Sequence, residues 1–424
     1  MLDIRLLRDQ TDMVRARLAL VGCPDEELDR VLELDRRRRT LLTEVESMRS
    51  ERKSSSRQIG GMKPGPEMEL AKIAVRALGE KLASAEKELE QAESEFGRRM
   101  LELPNLPHPD VPPGPDDSAN VVVRTEAATR TFEFEPRPHW DLGEALGIID
   151  FDRGVKISGS RFYVLRGDGA RLQRALITFM LDLHTREHGH VEVYPPAMVR
   201  EECLYGTGNL PKFGENLYRD AEEDFYFVPT AEVPVTNLYR DEILDGASLP
   251  IRHVAYSPCF RREKMSAGRD VRGIKRGHQF DKVEMVKFVH PDTSDAELES
   301  LVACAEAVCR RLGIQHRIIQ MCAGDLSFTA AMKFDIEVWA PGCKEWLEVS
   351  SCSNFTDFQA RRANIRFRDE NGKVRLVHTL NGSGLALPRV VIAVLETYQR
   401  ADGTVEIPEA LRPYMGGQTE IRRA

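Results

Sequence analysis

The chain has 424 residues, 42% of them hydrophobic, and a formal net charge of −8 at pH 7. That length exceeds one simple core, so two or three structural units are expected. The acidic balance argues against indiscriminate nucleic-acid binding and leaves room for a local basic patch. No apolar run is long enough to span a bilayer. The opening stretch MLDIRLLRDQTDMVRARLAL is charged throughout and lacks a signal peptide's apolar core, so a soluble, cytoplasmic protein with no membrane partner is expected.

Residues 26–103 differ in texture from everything after them. Leu78, Leu82, Ala85, Leu89, Ala92 and Phe96 recur in steps of four and three, a heptad seam. Val31, Leu34, Leu41, Val45 and Met48 fit the same pattern upstream, with Arg38 filling one seam position. Between the two halves, Gly60, Gly61, Pro64, Gly65 and Pro66 stop a helix. An antiparallel hairpin of two long helices follows, each arm reaching about 50 Å at ~1.5 Å per residue. Near its tip Arg49, Arg52, Lys53, Arg57 and Lys63 are accompanied only by Glu51, and the returning helix is acid-rich. One-signed charge there suits a polyanion; a solvated coiled-coil face is the alternative.

The proline-rich stretch 103–120 reads as a linker, dividing an N-terminal domain (1–103) from a second domain (121–424) across 104–120. Beyond it, helices are expected at 171–188, 293–312 and 385–400. Strands are expected at 190–194, 225–229, 251–262, 279–289, 333–339, 345–351 and 374–380. Hairpin spacing with few βαβ alternations favours an α+β fold, a mainly antiparallel sheet flanked by helices. The eight cysteines (23, 203, 259, 304, 309, 322, 343 and 352) form no CxxC pair and no zinc-finger spacing. Reduced thiols and no zinc are expected.

Positive charge concentrates at CFRREKMSAGRDVRGIKRGHQF (259–280), where Arg261, Arg262, Lys264, Arg269, Arg272, Lys275 and Arg276 surround two acids. Arginines on a glycine-broken loop between strands suit a polyphosphate, gripping its oxygens in a fork. The loop is not a P-loop, since no GxxxxGK[ST] occurs. A solvated hairpin tip is the bland reading, and strand alternation weakens it. Period two points Arg261 with Glu263, aligns Phe280, Lys282 and Glu284, and sets Glu348 beside Ser350. Thr230 stands close to Glu232 in PTAEVP. Such residues are costly to bury without partners, so their recurrence suggests one polar site on the sheet.

These stretches together resemble a known family. GHVEVYPPAMV is similar to class II motif 1, CFRREKMSAGRDVRGIKRGHQFDKVEM to motif 2 and HTLNGSGLALPRVVIAVLE to motif 3. TAEVPVTN, LEVSSCSN and DFQARR resemble seryl-type signatures, and the helical hairpin resembles that family's tRNA-binding arm. The match to bacterial-type seryl-tRNA synthetases, class II aminoacyl-tRNA synthetases, runs almost end to end. It implies an ATP-dependent ligase that makes seryl-adenylate from L-serine and ATP, then loads tRNA(Ser), with tRNA(Sec) as a further acceptor. It implies Arg261, Arg389 and Glu348 as catalytic residues. ATP would meet Arg261, Arg262, Glu263, Phe280, Glu348, Val349, Ser350, Ser351 and Arg389. Serine would meet Thr230, Ala231, Glu232, Arg261, Glu284, Asn381 and Ser383. Glu348 and Ser351 would hold Mg²⁺ carried by ATP, and Arg49, Arg52, Lys53 and Arg57 would meet tRNA. A homodimer is implied through motif 1, with Leu172, Ala175, Leu176, Phe179 and Met180 offered as its apolar surface. Lys264, Met265 and Pro388 depart from the family pattern. Two other readings stay open: an adenylating relative that loads a carrier protein, and a non-catalytic RNA-binding relative.

Overall fold

The computed structural model describes residues 1–127, 130–264 and 272–423; Met265 and Arg269 of the basic loop lie outside the described residues. The chain divides into two compact units, Met1–Pro104 and Asn105–Ala424.

Two long helices dominate the first unit, α1 (Asp25–Gly60) and α2 (Pro66–Glu102). Asp25, Glu26 and Glu27 in the first turn of α1 complement the positive end of its dipole. Pro66 stands at the start of α2, where a missing N–H costs nothing. Leu41, Val45, Leu82, Ala85, Leu89 and Ala92 pack into one buried cluster, with Met48 against it. The seam position held by Arg38 is filled by its guanidinium, 4.8 Å from the Phe96 ring centre. At the tip, Arg49 is not unaccompanied: it forms an ion pair with Glu86 of the returning helix at 2.7 Å.

The second unit is built on an eight-stranded sheet. Its strands are β1 (Val121–Thr125), β2 (Val191–Glu192), β3 (Ile251–Phe260), β4 (Gln279–Val289), β5 (His316–Gln320), β6 (Met332–Ala340), β7 (Glu345–Asn354) and β8 (His378–Ala386). They lie in the order β1-β5-β6-β7-β8-β4-β3-β2, antiparallel except for β2 on β3. The helices named below are α3 (His139–Leu146), α4 (Asp168–Arg186), α5 (Glu232–Thr236), α6 (Ser294–Arg311) and α7 (Leu387–Thr397).

Several expectations shift. The strand expected to run to 262 stops at Phe260, so Arg261 and Glu263 owe nothing to strand alternation; Glu263 sits in left-handed backbone at φ 51. The helix expected from 385 begins at Leu387, because β8 carries the glycine-bearing run through to Ala386. Pro388 falls in that helix's first turn. Residues 105–120 belong to the second unit. Asn105 is buried, its Nδ2 donating to the carbonyls of Thr329 and Phe355 at 2.9 Å each. Leu172, Ala175, Leu176, Phe179 and Met180 of α4 are buried within the chain's own core and offer no surface. Exposed apolar side chains lie instead at Val191, Tyr194 and Met198.

Candidate active site

Register brings a row of polar side chains onto one face of the central strands. Asp335 of β6 stands opposite Ser351 of β7, Ser353 of β7 opposite Asn381 of β8, and Ser383 of β8 opposite Glu284 of β4. Lys282 and Phe280 continue the row along β4 at period two. Over this face lies a cavity of about 620 Å³. Its lining includes Thr230, Glu232, Arg261, Glu263, Phe280, Lys282, Glu284, Glu348, Val349, Ser351, Asn381, Ser383 and Arg389. Twelve of the residues expected to meet ATP or serine are therefore brought together, and Lys282 joins them as a thirteenth.

A bulge explains one error of alternation. Ser350 pairs with Ile336 and Glu348 with the next residue, Glu337, so Val349 is an extra residue in β7. Glu348 is thereby put on the cavity with Ser351, not with Ser350. The Ser350 side chain is buried, and its hydroxyl donates to the carbonyl of Ser383 at 2.7 Å. Two other expected residues also do not line the cavity. Ala231 is buried in an apolar cluster with Val235, Val286 and Phe288. Arg262 follows the strand end, its backbone N–H donating to the Asn216 carbonyl at 3.0 Å and its side chain exposed.

One end of the cavity is a carboxylate-rich pocket. Glu284 is wholly buried, Glu232 opens α5, and the single Nδ2 of Asn381 donates to both, to Glu232 Oε2 at 2.9 Å and to Glu284 Oε1 at 3.0 Å. Gln359 donates to Glu232 Oε1 at 2.6 Å. Lys282 forms an ion pair with Glu284 and donates to the Thr230 hydroxyl at 2.8 Å. Burial, then the Glu284 charge, pushes the Glu232 carboxyl up to about 7. Two acids, one amide and one ammonium in a small volume suit a ligand that carries both a cation and a hydroxyl.

The other end is cationic and aromatic. Arg261 lies with its guanidinium 5.1 Å from the Phe280 ring centre, its Nε donating to the Pro229 carbonyl at 3.2 Å. Arg389, from the first turn of α7, donates to the Glu348 carbonyl at 2.6 Å. Arg276 donates to Glu263 Oε2 at 3.1 Å. A flat ring beside clustered arginines suits a nucleotide base with its phosphates.

Beside Glu348 and Ser351 is a residue that sequence reading missed. Asp335 is buried, and its Oδ1 has no hydrogen-bond partner. Its carboxyl is pushed up by burial and by Glu348, with Lys333 3.3 Å from Oδ2 in opposition. Burial works against the Glu348 charge, yet Arg389, Lys333, Arg261 and Arg276 hold its carboxyl below the ordinary range. Clustered carboxylate and hydroxyl oxygens with one buried oxygen left over fit Mg²⁺. Only a buried acid in a run of apolar strand residues, KFDIEVW, signalled Asp335 in the sequence. Among the described residues, the groups with spacing for a transition metal are His139, Cys343 and Glu396, and Glu126, Glu306 and His316; neither lines the cavity.

The chain matches two family models, the seryl-tRNA synthetase N-terminal domain over residues 1–107 and the tRNA synthetase class II core domain (G, H, P, S and T) over residues 214–398. It is 62% identical to a serine–tRNA ligase of Thermomicrobium roseum, over 100% of this chain and 95% of that one. It is 59% identical to a serine–tRNA ligase of Roseiflexus castenholzii over 100% of both. Among solved structures, a seryl-tRNA synthetase from Pyrococcus horikoshii complexed with ATP superposes with a TM-score of 0.93 at 39% identity, covering 100% of both chains. A cytoplasmic serine–tRNA ligase from Naegleria fowleri in complex with AMP gives 0.87 at 30% identity, covering 100% of this chain and 99% of that one.

Proposed function

The chain belongs to the seryl-tRNA synthetase family and performs its reaction, the ATP-dependent joining of serine to tRNA, and from that premise we propose how its side chains divide the work. Thr230 and Glu232 take the serine ammonium. Glu284 accepts from the serine hydroxyl, with Asn381 and Ser383 closing that pocket. Arg261 holds the serine carboxylate against the ATP α-phosphate. Phe280 lies on one face of adenine, Glu263 meets its edge, and Arg389 grips the γ-phosphate. Glu348 and Ser351 hold Mg²⁺, which when bound neutralises charge on the triphosphate. The observation that carries this reading is one cavity over the polar row of a single sheet face, with the acids at one end and, from beyond the strands, Arg261 and Arg389 at the other.

The serine carboxylate attacks the α-phosphorus, pyrophosphate leaves, and a terminal ribose hydroxyl of tRNA then attacks the acyl carbon, releasing AMP. No side chain needs to form a bond. Positioning by Arg261 and charge neutralisation by Arg389 supply the acceleration. The helical hairpin, with Arg49, Arg52, Lys53 and Arg57 near its tip, is the tRNA-binding arm, and tRNA(Sec) is accepted alongside tRNA(Ser). Residues 1–104 are its domain and 105–424 the catalytic domain. The working form is a cytoplasmic homodimer, which the exposed Val191, Tyr194 and Met198 support. Serine-dependent ATP–pyrophosphate exchange followed by aminoacylation of a total tRNA pool tests the reading. Exchange without tRNA charging would favour a carrier-protein ligase, and absence of both a non-catalytic relative. Light scattering at twice 48.0 kDa is expected.

A further inference from the structure

One buried polar cluster takes no part in the reaction as described. His139, first residue of α3, and Glu396, near the end of α7, are both wholly buried. Glu396 Oε1 accepts from the His139 backbone N–H at 2.9 Å and lies 2.9 Å from His139 Nδ1. Its Oε2 accepts from the backbone N–H groups of Gly342 at 2.9 Å and Cys343 at 3.0 Å, and the Cys343 thiol donates to Oε1 at 3.0 Å. Five donors fill a carboxylate's lone pairs, so the cluster has no room to ligate a metal. With Nδ1–H committed to Glu396, His139 Nε2 is left as an acceptor.

That acceptor is used by the basic loop. The backbone N–H of Ile274 donates to His139 Nε2 at 3.2 Å. The preceding residue, Gly273, has φ +75, and a Cβ there would stand 2.0 Å from Nε2. Only glycine lets the loop come this close. Trp140, beside His139, carries the Arg272 guanidinium 4.6 Å and the Lys275 ammonium 5.5 Å from its ring centre. Lys275 also forms an ion pair with Glu345.

The returning leg of the loop in turn holds the nucleotide end of the cavity. The Lys275 carbonyl accepts from Arg389 Nε at 3.4 Å, and Arg276 donates to Glu263. The pocket of Thr230, Glu232, Glu284 and Asn381 makes none of these contacts among the described residues.

We propose that His139, oriented by Glu396, is a positioning residue for ATP: it clasps the loop at Ile274 and through residues 275 and 276 sets Arg389 and Glu263. The proposal rests on the assignment of Arg389 and Glu263 to ATP, which Arg389→Ala tests separately. The assay is serine-dependent pyrophosphate exchange with KM measured for each substrate. His139→Phe keeps a ring and removes the acceptor. Gly273→Ala breaks the same hydrogen bond from the loop side, at a position outside the core. Both variants raise the KM for ATP about tenfold or more, the loss expected when a buried N–H is stranded, and leave the KM for serine within about twofold. His139→Gln, whose carbonyl offers an acceptor, recovers part of the loss.

A parallel change in both constants would reduce His139 to a structural role and overturn the proposal. So would an unchanged KM for ATP in Gly273→Ala, even if His139→Phe fails to fold. If Arg389→Ala also leaves ATP binding unaltered, the nucleotide assignment itself has failed.

Discussion

The sharpest consequence of the carboxylate pocket concerns alanine, which is serine without its hydroxyl. Glu284 is fully buried, with Lys282 and one Asn381 N–H for company. When alanine binds, a hydrogen bond to a charged acceptor is missing, about 1.5–3 kcal/mol, and the carboxylate is left short of a donor, about 1–3 kcal/mol more. The sum reaches about 6 kcal/mol at its upper end, close to the roughly 10⁴-fold rejection expected of a site built to bind a hydroxyl. Exchange kinetics with serine, alanine and threonine measure it, threonine being excluded less strongly through its methyl. In Glu284→Gln the volume is kept and the charge removed, and the serine-to-alanine ratio should fall to about 10²–10³. Lys282 is then buried without its counter-ion, a loss of about 3–5 kcal/mol, so Lys282→Met in the same chain separates specificity from stability. Alanine activated within about tenfold of serine by the unaltered protein would refute the assignment of Glu284.

Because burial and the Glu284 charge push the Glu232 carboxyl up to about 7, it must lose a proton to hold an ammonium below that pH. The kcat/KM for serine should therefore rise about tenfold per pH unit on the acid side and level off above pH 7, whereas Glu232→Gln gives a low, flat profile; a flat profile in the unaltered protein contradicts the role. Chelation should abolish exchange, and Asp335→Asn should weaken Mn²⁺ binding in the presence of ATP about 10- to 100-fold by electron paramagnetic resonance; stoichiometric zinc by elemental analysis would contradict the oxygen site. Neutralising Arg49, Arg52, Lys53 and Arg57 should flatten the salt dependence of tRNA binding by about 0.7–0.9 in slope for each phosphate no longer neutralised, and normal charging at every salt concentration would return the tip to a solvated face. Removing residues 30–98 should leave pyrophosphate exchange and cripple tRNA charging; an armless protein that charges normally means the arm serves another partner.

Much of this was legible in the sequence because it depends on periodicity. The seam from Leu82 to Ala92 and the strand 279–289 emerge with the spacing expected, and Phe280, Lys282 and Glu284 share a face as period two requires. Local pattern fails where register slips. The extra residue at Val349 can be seen only against the partner strand, so Ser350, expected on the cavity, is buried behind it. Asp335 acquires meaning only from the strand beside it. The apolar stripe of α4 suits a second subunit as well as its own core, because a sequence cannot say which of two surfaces claims a hydrophobic face. His139 and Ile274 are 135 residues apart, and although Ile274 lies in the stretch similar to motif 2, no local pattern ties it to His139.

The shared amide of Asn381 has an evolutionary implication. One nitrogen answers to both the acid proposed for the ammonium and the acid proposed for the hydroxyl. A lineage drifting toward another amino acid could not exchange Glu284 alone, because the released Asn381 would reorient and disturb a feature every amino acid shares. Substitutions at 232, 284 and 381 should therefore be epistatic, each deleterious singly and tolerated only in company. Coupling of this kind turns selectivity into a valley that single substitutions do not cross.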